Sequence, residues 1–572
     1  MALVAFPARG PRRNSTGRLV NSPQPRMRER ISPLFHLCAL GLVSAILLGG
    51  GTRAGFLSDV ILQFLSVPIL LVALWRMGKG SLTREQLWAV AFCAAILAIP
   101  MAQLAPLPPT IWTALPGCEA SVSTFELINR SLPWAPLSLS PAATWLSALS
   151  LVPTFAIFLG VLQLDYSERR LLSLVAIVMG FLSVLLGLMQ VAQGSSSSIR
   201  FFEFTNAEDA VGFFANRNHF AALLYTLTLL AAAWAGNNGI AFGLERHRKK
   251  FSTAPIVSQL ASFSVLAVLI GAQVMTRSRA GMILTLAALF GAFLLVQLGP
   301  RSPNGLRPVW LMIGAAALAL VLSFQFALYR ALDRFALESA PDARLAFARN
   351  TTEAAKTFMP FGAGVGAFVP VYAMFEKPRD LLIAGYANHA HNDFLEIWLE
   401  TGAAGVALIA LFVIWLLWRF TQVWRNSYRG GLEIDRFLVR AATLAIALLL
   451  IHSLVDYPLR TGAMMAIFAF LSALLIPPQN ALPGDSRETA KAAQAAQTPQ
   501  TRPRVDAATS APTPARKSLV PSRSPVMPAR TARPKTIAAG VEEQWPEEWR
   551  KLLVATPAEE NSNKEPDPSS KE

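Results

Sequence analysis

Two histidines, two amides and two carboxylates stand close together in Asn388-His389-Ala390-His391-Asn392-Asp393-Phe394-Leu395-Glu396, where a polar stretch runs into a strongly apolar one. An imidazole titrates near neutral pH, so it can take a proton from a hydroxyl in the course of a reaction. Its place at the mouth of an apolar run lets a lipid-borne substrate and water meet there.

Three further polar groups could share that chemistry. Asn216-Arg217-Asn218-His219 and Thr276-Arg277-Ser278-Arg279-Ala280-Gly281 both adjoin apolar runs. Guanidinium forks match phosphate oxygens, so Arg217, Arg277 and Arg279 are candidate phosphate ligands, with lipid-headgroup anchoring as the alternative for Arg277 and Arg279. His452 and Asp456 are spaced i, i+4 and so share a helix face, with Arg460 as their expected neighbour. They read either as a structural bond between helices or as part of a site. Glu396 and Glu400 repeat that spacing, and Glu396 reads as an orienting or helix-capping group.

The elements that must position these residues are set by solvent. The chain is 53% hydrophobic and 15% charged, so lipid surrounds most of it and an all-α, polytopic membrane bundle is expected. Apolar stretches able to cross about 30 Å of hydrocarbon number twelve, roughly at 31–51, 56–75, 86–104, 142–164, 171–193, 218–236, 256–275, 280–298, 308–328, 395–418, 437–456 and 461–477. With a cytoplasmic amino terminus, the short inner loops hold Arg76, Lys79, Arg84, Arg169, Arg170, Arg246, Arg248, Lys249, Lys250, Arg301, Arg307, Arg419, Arg425, Arg429 and Arg436. The short outer loops hold Arg53, Arg130, Arg200, Arg277, Arg279 and Arg460. Fifteen inner charges against six outer ones put the histidine motif and the loops 105–141 and 329–394 outside.

The net charge of +16 therefore follows from topology, and a nucleic-acid partner is excluded. No cleavable signal peptide is evident before the first apolar run. Cys38, Cys93 and Cys118 form no close pair, which points to neither a metal site nor a disulfide framework. Residues 1–30 form a basic cytoplasmic arm. Residues 478–572, rich in Ala, Pro, Ser, Thr and charge, read as a disordered cytoplasmic tail. Within the tail, Trp545 to Leu553 could form a short amphipathic helix that meets a partner, or a transient helix without one.

In the outer loop, residues 343–358 read as an amphipathic helix with Leu345, Ala348, Thr352, Ala355 and Phe358 along one side, able to lie on the membrane surface. Phe361-Gly362-Ala363-Gly364-Val365-Gly366-Ala367-Phe368 follows. Its glycines suit either a phosphate cradle or a tight turn that returns the loop to the bundle. The spacing is not that of a dinucleotide-binding turn.

The histidine motif followed by Glu400-Thr401-Gly402, the glycine turn, Asn216-Arg217-Asn218-His219-Phe220, Ser278-Arg279-Ala280-Gly281 and residues 452–459 together resemble the O-antigen ligase and polymerase superfamily, over roughly residues 30–477. The resemblance implies a multi-pass glycosyltransferase of the bacterial inner membrane, with its site facing the periplasm, acting in lipopolysaccharide or exopolysaccharide assembly. It implies a glycan donor linked to polyprenyl (undecaprenyl) pyrophosphate and an acceptor hydroxyl on lipid A-core or on another glycan. Neither a nucleotide sugar, a cofactor nor a metal ion is implied. On this resemblance His391, which precedes Asn392, is the catalytic base and His389 the substitute. Arg279 takes the family's basic position with Arg277 beside it, while Arg217 is assigned to pyrophosphate by placement. Ligase and polymerase remain equally open. A transporter would need ionisable or helix-breaking positions near the middle of paired spans, whereas here charge gathers at helix ends.

Overall fold

A computed structural model describes residues 31–53, 55–247, 254–297, 343–381, 386–425 and 431–479, all within one compact unit, Met1–Ala495. The amino-terminal arm, the expected span 308–328, residues 329–342 and the tail with Trp545 to Leu553 lie outside the described residues, as do Arg248, Lys249, Lys250, Arg301, Arg307 and Arg429.

The described chain is helical, in the order α1 (Pro33–Leu48), α2 (Leu57–Lys79), α3 (Arg84–Leu104), α4 (Pro109–Trp112), α5 (Glu119–Leu127), α6 (Pro141–Leu162), α7 (Tyr166–Gln193), α8 (Arg217–His247), α9 (Ala254–Met275), α10 (Arg279–Gln297), α11 (Ala343–Thr357), α12 (Phe368–Phe375), α13 (Asp393–Trp424), α14 (Glu433–His452) and α15 (Gly462–Leu474). Extended pairing among the described residues is confined to β1 (Pro106–Leu107) against β2 (Ala135–Pro136), antiparallel. Among the described residues, eight helices are long and apolar enough to cross a membrane, namely α2, α3, α6, α7, α8, α9, α10 and α13, and α1 and α15 are shorter apolar helices. With α14, these account for every expected stretch except 308–328. The protein is an all-α polytopic membrane protein.

Helix starts follow local chemistry. Ser32 caps α1 ahead of Pro33, and Thr83 with Gln86 and Asp165 with Glu168 form reciprocal capping boxes on α3 and α7. Its apolar residues run all the way round α8, so it lies at the centre of the bundle: 94% of its membrane window is buried, against 22% for α2 and 17% for α3. It packs against α9, α10 and α14.

Hydrogen bonds between loops sort the bundle into two ends. At one end Ala463 N donates to Gly49 O, Ala215 N to Gly50 O, Ala210 N to Met275 O and Asp393 N to Ser453 O. At the other, Ser32 N donates to Glu168, Gln86 to Leu162 O, Arg170 to Asp435 and Gln479 to Ser81 O. This is the alternation expected of antiparallel spans. Two cations counted as loop charges are instead buried there. Arg169 donates to the carbonyls of Leu162, Leu164, Ala473 and Ile476, and Arg419 to that of Leu475, so each guanidinium satisfies carbonyls freed where helices end.

The expected side of α11 is buried at its end, where Ala355 and Phe358 turn inward, but not at its start. Leu345 is 75% exposed, whereas Phe347, Asn350, Thr351, Ala354 and Ala355 are buried. Alanines leave the apolar face of this segment ambiguous, and the deciding contacts are tertiary: Phe347 packs edge-on to Tyr372 of α12 and Asn350 donates to its hydroxyl.

Candidate active site

The start of α13 fixes the histidine motif. Asn392 is its N-cap, its Oδ1 accepting from Phe394 N at 3.0 Å and Leu395 N at 3.1 Å while Nδ2 donates to Leu454 O at 2.9 Å. His391 just before it has φ +51°, a left-handed conformation that few non-glycine residues adopt. This turn folds the preceding residues back over the helix. Ala390 N then donates to Glu396 Oε2 at 2.9 Å, and the His389 ring meets Glu396 Oε1 through Nδ1 at 2.8 Å and Thr52 O through Nε2 at 3.1 Å.

Those bonds assign different charge states to the two histidines. A carbonyl oxygen can only accept, so His389 Nε2 carries a proton, and its Nδ1 faces a carboxylate. Burial disfavours the charge on His389, but Glu396 and its hydrogen bond outweigh it and raise the pKa above the usual value. Both contacts favour the imidazolium form of His389, which has no lone pair to act as a base. His391 donates from Nδ1 to His389 O at 3.1 Å, which leaves Nε2 with its lone pair. Burial lowers the pKa of His391, against an opposing pull from Asp456. It is therefore neutral near pH 7.

Aromatic rings enclose the pair. Tyr457 lies edge-on to His391 with centroids 5.0 Å apart, 4.2 Å from His389 and 4.8 Å from the buried His219, and Phe347 of α11 covers His391 at 5.5 Å. Asp456, buried beside them, accepts from Asn218 Nδ2 and from Tyr457 N. His452 Nδ1 pairs with the hydroxyl of Tyr225 at 3.2 Å. Arg460, expected beside His452 and Asp456, is bonded elsewhere. Helix α14 ends at His452, and the short turn Pro458–Arg460 swings the guanidinium to α13, where it reaches Glu400 at 2.8 Å and Asp393 and Glu396 at 3.5 Å each.

The arginines gather at the same end. Arg217, first residue of α8, bonds Asp209 Oδ2 at 2.6 Å, and Arg277, at φ +51°, reaches Asp209 Oδ1 at 3.6 Å and Glu208 at 3.8 Å. Asp209 is buried, and Asn206 Oδ1 accepts from Arg217 N at 2.9 Å. Arg217 and Arg277 thus share one carboxylate. Arg279 opens α10 two residues beyond Arg277. The Asn216 to His219 stretch joins this cluster to the imidazoles, because Asn218 bonds Asp456 and His219 packs on Tyr457.

The two readings of the glycine turn are separated by its amides. Ala363 N donates to Leu399 O, Gly364 N to Glu400 O, Val365 N to Gln103 Oε1 and Gly366 N to Glu400 Oε1. Gly362, Gly364 and Gly366 have φ of +78°, +110° and +81°, and a Cβ on Gly362 would lie 2.5 Å from Glu400 O. Such donors are spent inside the protein. The turn staples the loop to α13 and α3 and does not cradle phosphate.

Residues 264–410, which carry Arg277, Arg279, the glycine turn, His389, His391 and Glu396, match the family model described as O-antigen ligase. Over this segment the chain is similar to the O-antigen ligase family. No curated protein matches it.

The O-antigen ligase match supports a ligase- or polymerase-like membrane glycosyltransferase. It ends inside α13, so Arg217, His219, His452, Asp456, Tyr457 and Arg460 reach the ligase segment through the fold rather than through the matched sequence. Sequence reasoning passed over Asp209, Asn206 and Tyr457. Asp209 could have been found as an acid in the polar run that leads into Arg217 at the start of α8. Tyr457 carries no such signal, because its role comes from rings brought to it by two segments distant in sequence, at His219 and at His389 with His391.

Proposed function

We propose that the protein transfers a glycan from a polyprenyl pyrophosphate carrier to an acceptor hydroxyl on the periplasmic side of the bacterial inner membrane. The observation that carries this reading is the free Nε2 of a neutral, tautomer-fixed His391 at the same helix end as Arg217 and Arg277. The acceptor oxygen attacks the anomeric carbon, His391 Nε2 takes its proton, and the carbon–oxygen bond to pyrophosphate breaks. Direct displacement inverts the anomeric centre. Arg217, Arg277 and Arg279 hold the departing pyrophosphate, whose charge grows as the bond breaks. His389, Glu396 and Asn392 position His391, while Asp456 faces the imidazolium that forms and His452 supports it.

The periplasmic assignment rests on the distribution of Lys and Arg between the loops. The same reading divides the chain into a basic cytoplasmic arm at 1–30, the transferase domain at 31–477 with 329–394 as its periplasmic loop, and a cytoplasmic tail from 478. Acceptor class is decided by the glycolipids of cells lacking the protein. Loss of long-chain lipopolysaccharide with the lipid-linked donor still polymerised identifies a ligase, and donor stalled at single repeat units identifies a polymerase. Surface polysaccharide and lipid-linked pools both unchanged would contradict the proposal.

A further inference from the structure

Asp393, Glu396 and Glu400 occupy the first two turns of α13 on one side, and all three are buried. Three carboxylates packed together with no cation would repel one another and lack water to solvate them. Arg460 reaches all three, and its contact with Glu400 is a direct hydrogen bond of 2.8 Å. The other attachments run outward. Asp393 accepts from Ser453 Oγ at 2.6 Å, Glu400 accepts from Gly366 N at 2.9 Å, and Glu396 uses both oxygens on the histidine motif. One arginine therefore sits where the turn after α14, the glycine staple and the histidine motif converge.

We propose that Arg460 is a positioning residue: by gathering the three carboxylates of α13 it keeps Glu396 clamped on His389, and through the His389 carbonyl it sets the tautomer and direction of the His391 ring. The chain of contacts is short. Arg460 meets Glu396, Glu396 meets the His389 ring and the Ala390 amide, and His389 O receives the proton on His391 Nδ1. Arg460 touches no reacting atom. Without it, Glu396 would lose the cation that gathers it with Asp393 and Glu400, its grip on His389 would loosen, and the His391 ring would be free to present the wrong nitrogen.

This rests on the transferase reading, with His391 as base, but one of its tests does not. In protein with 15N-labelled histidine, His389 should titrate above the ordinary imidazole value, and in Glu396→Gln, where burial is no longer opposed, its titration should move to lower pH. A His389 that titrates normally in the wild type overturns the proposal whether or not the protein transfers glycan.

The second test reads catalysis. Glu396→Gln and Arg460→Gln should each lower kcat tenfold or more while donor KM stays within twofold, since neither residue faces the pyrophosphate. Loss of the His389 charge should also move the acid limb of the kcat profile to higher pH. The groups facing His391 are His389 beside it, Arg344 from α11, Asp456 and Tyr457 after α14, and His219 from α8, and only His389 changes charge in these variants. Because Arg460→Gln leaves buried carboxylates unpaired and could fail to fold, the charge-balanced pair Arg460→Gln with Glu400→Gln is measured beside it. A folded pair that keeps wild-type kcat and pH profile overturns the proposal, and a folded pair with depressed kcat and unchanged donor KM supports it.

Discussion

The Nδ1 of His391 donates to the backbone carbonyl of His389 across 3.1 Å, and this bond gives two adjacent histidines opposite characters. His389 is held by a carboxylate on one nitrogen and a carbonyl on the other, while His391 keeps one nitrogen open. The left-handed backbone at His391 is what turns the carbonyl of His389 toward that ring. Such a conformation costs about 1–3 kcal/mol and persists where surrounding contacts enforce it. Here the cap formed by Asn392 and the grip of Glu396 on Ala390 enforce it.

The glycine staple gives the first prediction. Gly362→Ala places a Cβ 2.5 Å from Glu400 O at a φ of +78°, so it should destabilise the fold by at least about 1–3 kcal/mol, read as a fall in the thermal midpoint of purified protein. An unchanged midpoint with a weakened donor KM would instead restore the phosphate-cradle reading.

Arg217 and Arg277 share Asp209, so their substitutions should be coupled. Arg217→Ala and Arg277→Ala are each expected to raise donor KM about tenfold, the scale of a charge-assisted bond, and the double variant should fall short of the product of the two. Arg279→Ala should weaken donor use more than Arg279→Lys, because a lysine keeps charge but loses the fork. Equal donor KM across the series would assign these arginines to headgroup anchoring.

Sidedness can be read by labelling. Cys118 is buried, which makes it a poor reporter. A cysteine placed at the exposed Glu126, on α5, should react with an impermeant reagent in intact spheroplasts, and one at the exposed Ser81 should react only after lysis. The reverse pattern would invert the proposed topology.

The helices were legible in the sequence because lipid imposes a length and an apolarity that soluble packing does not, and α2, α3 and α6 fall within a few residues of expectation. The histidine motif was legible too, since Asn392 combines an N-cap with the start of an apolar run. What failed were contacts made across long separations. Arg460 was expected beside Asp456 because it lies four residues away, and a single turn of 3-10 helix sends it to α13. The buried face of α11 was legible only at Ala355 and Phe358, because alanine fits either side of a helix and Phe347 found its partner in α12. The different surroundings of the two histidines could not be read from Asn388 to Asp393 alone, because Thr52 and Glu396 are what bind the His389 ring.

The charge states predict a pH dependence with two parts. A base must be neutral to act, and burial holds the pKa of His391 below the ordinary 6.5. The rate should therefore rise with pH through an apparent pKa below 6.5 and be flat at neutrality. His389 behaves oppositely, since its folded pKa is raised. Its contribution to stability is full below the unfolded pKa and is lost as pH rises through the folded one, so the thermal midpoint should decline on the alkaline side. A kcat that falls with rising pH through neutrality would contradict the assignment.

The most direct measurement is glycan transfer by purified His391→Ala protein supplied with a polyprenyl pyrophosphate-linked donor and an acceptor, beside wild type and His389→Ala. Removal of a general base costs about 10²–10⁴-fold in rate, and that loss is predicted for His391→Ala with the thermal midpoint and donor KM little changed. Transfer at the wild-type rate by a folded His391→Ala protein would contradict the account.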